Sequence, residues 1–379
     1  MPTYSLTEDQ RMILDLAESF ATKEMRPVAA QWEKRATFPH EVHKKAMVAG
    51  LLNVVVPEAY GGPGLSYLDF IMVTERLAHA CVGLAGALSL NNMIADALLV
   101  GGSEEQKTKY LGRMLAGEVG GYAMTEPAAG SNVVGIETLA VKKGNNYLIN
   151  GSKTWISNAP VASFFIVFAK TDPDSGHSGL SAFLVEKDTP GLRLGNNLEK
   201  LGQKAFPAAE LFFEEMVVSS EQRMGAEGDG FSIAMKVFDR SRPMVAALGV
   251  GLSQRCLDES LAYAKLRTSM GKPIVQHQMV GSKIAEMGMR TEAARLLTHQ
   301  SADLLDRGER NTLQAAYAKT FASDTAAWAS SEAVQIFGGM GYSVEYPVEK
   351  LYRDAKVLQI YEGTNEIQRL IMARELSRE

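Results

Sequence analysis

Residues 119 to 230 break the period of everything around them. The runs "NNYLING", "ASFFIVFAKTD", "GLSAFLVEKD" and "AELFFEEMVV" are short and rich in aromatic and β-branched residues, separated by Gly-Asn, Asp-Pro and Pro-Gly. That pattern predicts a small antiparallel β-domain. On both sides the period is helical. Before it, Thr7-x-x-Gln10 forms a candidate capping box, followed by Ile13, Leu16, Ala17 and Phe20 at helical spacing. "FPHEVHKKAMVAGLL" and "LDFIMVTERLAHACVGL" continue that spacing around the Gly/Pro loop "PEAYGGPGLS". After it, "GSKIAEMGMRTEAARLLTHQSADLLDRG" and "NTLQAAYAKTFASDTAAWASSEAVQIFGG" read as long bundle helices. The expectation is an α+β chain, mainly α, in three blocks. These are a helical domain over residues 1–118, a β-domain over 119–230 and a helical bundle over 231–379.

Charge removes several function classes. A formal net charge of −5, well interspersed, offers no general attraction to nucleic acid or an anionic membrane. Two distant cysteines, Cys81 and Cys256, make neither a disulfide framework nor a zinc pattern and fit a reducing compartment. Six scattered histidines lack metal-ligand spacing, so no metal is expected. The start, "MPTYSLTEDQRMILDL", is polar and acidic where a signal peptide is basic and then apolar. A cytoplasmic protein is expected, or a mitochondrial-matrix one if this is a processed eukaryotic chain.

No glycine-rich dinucleotide or Walker signature follows a strand; "GVGLSQ" lacks the third glycine and reads as helix packing. Other groupings carry more. "TEPAAGSN" and "SKTWISN" lie at boundaries of β-runs, where small hydroxylated residues suit a polar planar ligand and Trp155 a stacking wall. Trp155 reads equally as a β-core residue. Asp239 and Arg242, three residues apart in "FDRSRP", read as a structural ion pair or a ligand contact. In "LRTSMGKP", Arg267 stands at a turn, able to hold a phosphate or cap a helix. In "QIYEGTNEIQRL", Glu362 precedes Gly363 and Thr364 just before a helix. It could face the helix dipole, a contribution of about 0.3–1 kcal/mol, or act as a catalytic base.

Taken together and in order, "YAMTEPAAGSN", "GSKTWISN", "FDRSRP", "QIFGGMGYSVEYPVEKLYRDAK" and "YEGTNEIQRL" resemble the acyl-CoA dehydrogenase family over essentially the whole chain. The last two motifs look most like its medium- and short-chain branch.

The resemblance implies an N-terminal helical domain, a middle β-domain and a C-terminal four-helix bundle, assembled as a homotetramer. It implies FAD-dependent α,β-dehydrogenation of an acyl-CoA, with electrons passed to an electron-transfer flavoprotein. Glu362 matches the family base that removes the α-proton. Tyr122, Met124, Thr125, Ser131, Trp155 and Ser157 match segments around the flavin, and Ser131 also approaches the CoA. Arg267, Met270 and Gln278 would reach FAD held mainly by a neighbouring subunit. Gln335, Gly338 and Gly339 would contact its adenosine side, and Thr364 and Asn365 its phosphates. Asp239, Arg242, Tyr361 and Gly363 would border the substrate.

Asn132 and Met270 depart from the family's usual Asp and Phe. Long-chain and isovaleryl-type members carry the base elsewhere, so Glu362 separates this chain from them. "ALSLNNMIADALL" lacks the arginine that glutaryl-type members use, arguing against a dicarboxylic acyl chain. It holds Asp96, either a solvated or capping residue or, if it faces the cavity, a second acid–base group for a cyclic or polar acyl-CoA. Reoxidation by oxygen, as in acyl-CoA oxidases, is a further enzymatic alternative.

Overall fold

The computed structural model describes residues 6–378. Six helices come first: α1 (Glu8–Phe20), α2 (Ala29–Arg35), α3 (His40–Val48), α4 (Tyr67–Ala80), α5 (Val82–Gly101) and α6 (Glu104–Leu115). The capping box opens α1 as expected: Thr7 Oγ1 accepts from the Gln10 N–H at 3.2 Å, and Gln10 Oε1 from the Thr7 N–H at 3.1 Å. The phase of the helix is different from the one the spacing suggested. Leu14, Ala17 and Phe20 face inward, while Leu16 is 40% exposed.

The helix α5 is long and apolar enough to span a bilayer, yet every side chain from Val82 to Leu98 is buried. It is the pin of the molecule. Its surroundings come from the other helices, the sheet and the bundle, which together form one continuous core. Cys81 and Cys256 are both buried and free.

Eight strands follow: β1 (Gly120–Ala123), β2 (Leu139–Lys143), β3 (Asn146–Ser157), β4 (Phe164–Lys170), β5 (Leu180–Glu186), β6 (Leu192–Asn197), β7 (Ala208–Ser219) and β8 (Arg223–Met224). Their main path runs β6-β7-β3-β2-β4-β5-β8, mostly antiparallel. Two pairings correct the all-antiparallel expectation: β1 lies parallel to β4, and β2 meets β4 in parallel at Leu139 and Lys170. The sequence hid β1 because "GGYA" is too short and glycine-rich to carry a strand signal.

Strand β4 is apolar on both sides because both faces of the sheet are covered there. Phe164, Ile166 and Phe168 join the main core, and Phe165, Val167 and Ala169 a second one within the sheet.

The last block begins with α7 (Gly230–Leu266), 37 residues long. A two-stranded turn, β9 (Thr268–Ser269) and β10 (Lys272–Pro273), leads to α8 (Gln278–Asp306) and α9 (Thr312–Phe337). Two shorter helices, α10 (Pro347–Ala355) and α11 (Asn365–Leu376), complete it. The glycines of "GVGLSQ" do serve packing. A Cβ on Gly251 would come within 2.5 Å of the Glu75 carbonyl oxygen, and one on Gly249 within 3.0 Å of that of Ala322. Helices α4 and α9 therefore approach α7 backbone to backbone.

Candidate active site

A cavity of about 1440 Å³ opens where α5, the sheet, α7 and the turn before α11 meet. Its apolar stretch is lined by Leu90 and Met93 from α5 and by Met244, Val245 and Leu248 from α7. Among its lining are also Tyr122, Met124, Thr125, Ser131, Trp155, Ser157, Asp239, Arg242, Tyr361, Glu362, Gly363 and Thr364. These residues come from four separate stretches of sequence.

Glu362 has a left-handed backbone, φ +56°, and Gly363 continues it at +87°. A side chain on Gly363 would strain that backbone and put its Cβ 2.7 Å from Gln368 Nε2. Helix α11 is capped by Thr364, whose side chain accepts from the Ile367 N–H. Glu362 therefore does not cap the helix. Its carboxylate reaches across to α7, where Ser241 Oγ donates to Oε2 at 2.7 Å. Burial raises the Glu362 carboxyl above its ordinary range, opposed by the Ser241 hydrogen bond and the charges of Arg242 and Lys319. A carboxylate so raised, at a cavity wall, is placed for proton abstraction.

Arg242 and Asp239 are a true ion pair, at 2.8 Å. Asp239 Oδ2 also accepts from Thr312 Oγ1 at 2.6 Å. Arg242 is only 4% exposed, and its Nε is buried with no hydrogen-bond partner in the chain. The Tyr122 hydroxyl is likewise buried and unpartnered. Each is a buried polar atom that the chain itself leaves unsatisfied, in a residue that lines the cavity.

In the sheet, a bulge in β3 between Lys153 and Ile156 turns Trp155 outward. Trp155 has φ +59° and is 55% exposed, so it is not a residue of the β-core. The Thr154 N–H donates to the Thr125 carbonyl at 2.9 Å, tying this bulge to the loop after β1. Beneath, the buried Lys153 donates to the Met124 carbonyl at 3.0 Å and to Glu126 Oε1 at 2.7 Å. The loop that carries Met124 and Thr125 is thereby fixed from inside.

Other candidates fall outside this cavity. Asp96 is neither solvated nor a cap, and it does not line the cavity. Its carboxylate accepts from the Tyr67 hydroxyl, with Arg240 Nε 3.7 Å away, and burial raises it to about 7. Asn365 is also withdrawn. Its amide donates to Ser323 Oγ at 2.9 Å and Asp324 Oδ1 at 2.7 Å, commitments inside the bundle that leave it away from the lining. Arg267, Met270, Gln278, Gln335, Gly338 and Gly339 are exposed and form no part of the lining; Met270 is 91% exposed.

Three residues that sequence reasoning passed over matter here. Ser241 sat unnoticed inside "FDRSRP". Gln368 Nε2 donates to the carbonyls of both Glu362 and Gly363. Lys319 was a lone charge within the small-residue run "QAAYAKTFA", the one visible sign that it is buried with a purpose. Among the described residues no group of histidine, cysteine and carboxylate side chains could hold a metal.

Helical blocks flank a sheet, and the Glu362 carboxylate and the exposed Trp155 line one cavity between them. Sequence models of the N-terminal, middle and C-terminal domains of acyl-CoA dehydrogenase match residues 7–118, 121–216 and 228–377. The chain belongs to the acyl-CoA dehydrogenase family. It is 42% identical to the acyl-CoA dehydrogenase of Bacillus subtilis (strain 168), over 98% of each chain. Butyryl-CoA dehydrogenase from Megasphaera elsdenii has the same fold, with a TM-score of 0.96 at 38% identity over the whole of both chains. A structure described as the FAD complex of PigA matches with a TM-score of 0.95 at 32% identity, over 99% of each. The protein is thus an FAD-dependent enzyme acting on acyl-CoA. Its cavity suits that cofactor: a half-exposed Trp155, the Thr125, Ser131 and Ser157 hydroxyls and the unpartnered Tyr122 hydroxyl surround a space able to take a planar polar ring.

Proposed function

We propose that this enzyme removes the α-proton of an acyl-CoA thioester with Glu362 and so forms the 2-enoyl-CoA. The observation that carries the reading is the Glu362 carboxylate itself, half-buried at the cavity wall and held in orientation by Ser241. The Glu362 N–H, presented by the left-handed turn, donates to the thioester carbonyl and makes the α-proton acidic. Bound FAD supplies the acceptor for the β-hydride, two electrons in all. Tyr122, Met124, Thr125, Ser131, Trp155 and Ser157 hold it. Asp239 and Arg242 border the thioester and pantetheine, and Tyr361 and Gly363 the reacting carbons. Leu90, Met93, Val245 and Leu248 give the acyl tail an apolar seat, which favours an uncharged acyl chain.

The same proposal extends to assembly. The exposed set Arg267, Met270, Gln278, Gln335, Gly338 and Gly339 lies away from this chain's own cavity. It serves the FAD of a neighbouring subunit in a homotetramer, and Thr364, in the lining of its own cavity, contacts the phosphates of FAD. An electron-transfer flavoprotein then reoxidises the enzyme.

Anaerobic mixing with a panel of straight, branched, alicyclic and dicarboxylic acyl-CoAs tests the reading. Flavin bleaching by uncharged acyl-CoAs and none by glutaryl-CoA is expected. Bleaching by glutaryl-CoA alone contradicts it. Rapid peroxide formation in air would identify an oxidase instead.

A further inference from the structure

Helix α9 carries a lysine that the proposed reaction does not use. Lys319 is completely buried, a setting lysine almost never occupies without an ionic partner. Among the described residues it makes no ion pair. Its Nζ donates instead to two uncharged oxygens, the Gly363 carbonyl at 2.9 Å and Asn365 Oδ1 at 2.8 Å. Both flank the turn that presents Glu362.

That turn is anchored at several points, and all lead to the same place. Gln368 Nε2 donates to the Gly363 carbonyl at 3.0 Å, so the oxygen is held from α9 and α11 together. Asn365, the other acceptor of Lys319, bonds Ser323 one turn along α9, and Asp324 beside it. Ser323 Oγ in turn donates to the Lys319 carbonyl at 2.7 Å. The left-handed backbone of Glu362 and Gly363 is thus clamped to one segment of α9.

We propose that Lys319 is a positioning residue for Glu362, clamping its turn to α9 and serving as the buried counter-charge that keeps its carboxylate ionised until it takes the α-proton. The proposal rests on the reading of Glu362 as the base. Its electrostatic half follows from where the charges lie. Glu362 faces Tyr122 from β1, Arg242 from α7, Lys319 from α9 and Tyr361 beside it on its own turn. Lys319 faces Glu362, Asp324 on its own helix, Arg242 on α7 and Glu366 on α11. Arg242 is already paired with Asp239, and Asp324 with Arg369 and the amides of Gln359 and Asn365. Among the described residues, Glu362, Lys319 and the exposed Glu366 are the charges around this turn without an ion pair, and of the two carboxylates Glu362 acts more strongly on Lys319. Burial lowers the Lys319 amine to about 7, with Glu362 the strongest influence in the other direction. A proton on Lys319 favours a carboxylate at Glu362. When Glu362 takes the α-proton and becomes neutral, Lys319 loses that support.

The test begins with Lys319→Met, which fills similar space without charge. A nearby positive charge favours the ionised carboxylate, so its loss moves the titration of the carboxyl upward. Single-turnover flavin reduction in the variant should therefore fall at least about tenfold at pH 6 and approach the wild-type rate in alkaline solution. FAD content and acyl-CoA affinity should stay near wild type. A lower melting temperature with an unmoved pH profile would mean that Lys319 only packs, and would overturn the proposal. Lys319→Gln, which keeps a donor toward Gly363, replaces the methionine variant if that chain fails to fold.

A second measurement leaves Lys319 in place. The amine of Lys319 is titrated by ¹⁵N NMR in the holoenzyme and in Glu362→Gln. Its proton should be held less tightly in the variant, and an unchanged titration would overturn the coupling. Flavin reduction persisting in Glu362→Gln is a separate failure, of the base rather than of its partner.

Discussion

Ser241 Oγ donates to Glu362 Oε2 at 2.7 Å, joining the middle of α7 to a turn 121 positions further along the chain. The hydroxyl fixes one carboxylate oxygen of a residue that lines the cavity. It also favours the ionised form against the burial that raises the carboxyl.

Ser241→Ala removes that donor and one side-chain oxygen. A hydrogen bond to a charged group contributes about 1.5–3 kcal/mol, and each 1.4 kcal/mol is about tenfold in rate. Flavin reduction should therefore drop by about an order of magnitude in acid and recover as the pH rises, because the Glu362 carboxyl then needs a higher pH to ionise. Rapid-mixing reduction rates over a pH series check this. An equal loss at every pH would mean that Ser241 orients Glu362 without affecting its charge.

Asp96 gives a pH test that stability can read. Its folded carboxyl is raised to about 7 by burial, from an ordinary value of 3.8. The folded state therefore holds this proton more tightly than the unfolded chain. The resulting stability is complete below about pH 4 and is lost as the pH rises to about 7, up to about 4 kcal/mol. Asp96→Asn still accepts from Tyr67 but does not titrate. Its melting temperature should gain on that of the wild type between pH 4 and 7, then keep a constant lead. Acyl preference should not change, since Asp96 lies outside the cavity lining. A shifted preference would bring Asp96 back to the acyl chain.

How much of this was legible beforehand depended on the range of the interactions. The Thr7–Gln10 capping box spans three residues and was readable; so was the change of period that marks the sheet. Glu362 stood out through its motif. The phase of α1 did not, because Ile13, Leu16, Ala17 and Phe20 fit helical spacing as well as Leu14, Ala17 and Phe20 do. Parallel pairing of β1 depends on β4, more than forty residues away. The contacts of Asn365 and Lys319 are between α9 and α11, and no local pattern reports them. Asn365 looked like a ligand contact within its motif, and the bundle had already claimed its side chain.

The surface set offers an assembly test. Arg267 and Gln278 are exposed at the end of α7 and the start of α8, away from the cavity of their own chain. If they hold a neighbour's FAD, the pair Arg267→Ala and Gln278→Ala should lower bound flavin and oligomer mass together. Flavin absorbance and light scattering on the purified protein read both. A monomer that keeps its full complement of FAD would contradict the shared site.

The central claim is that Glu362 is the base, and Glu362→Gln tests it most directly. Glutamine keeps the size and can still bond Ser241, but it accepts no proton. The Gly363 turn and the Glu362 N–H remain, so FAD content and acyl-CoA affinity should be close to wild type. Anaerobic single-turnover flavin reduction isolates the chemical step from acceptor and product release. Its rate should fall by at least the ~10²–10⁴ that a general base contributes. Reduction at near wild-type rate would move the proton acceptor to another residue and contradict the account.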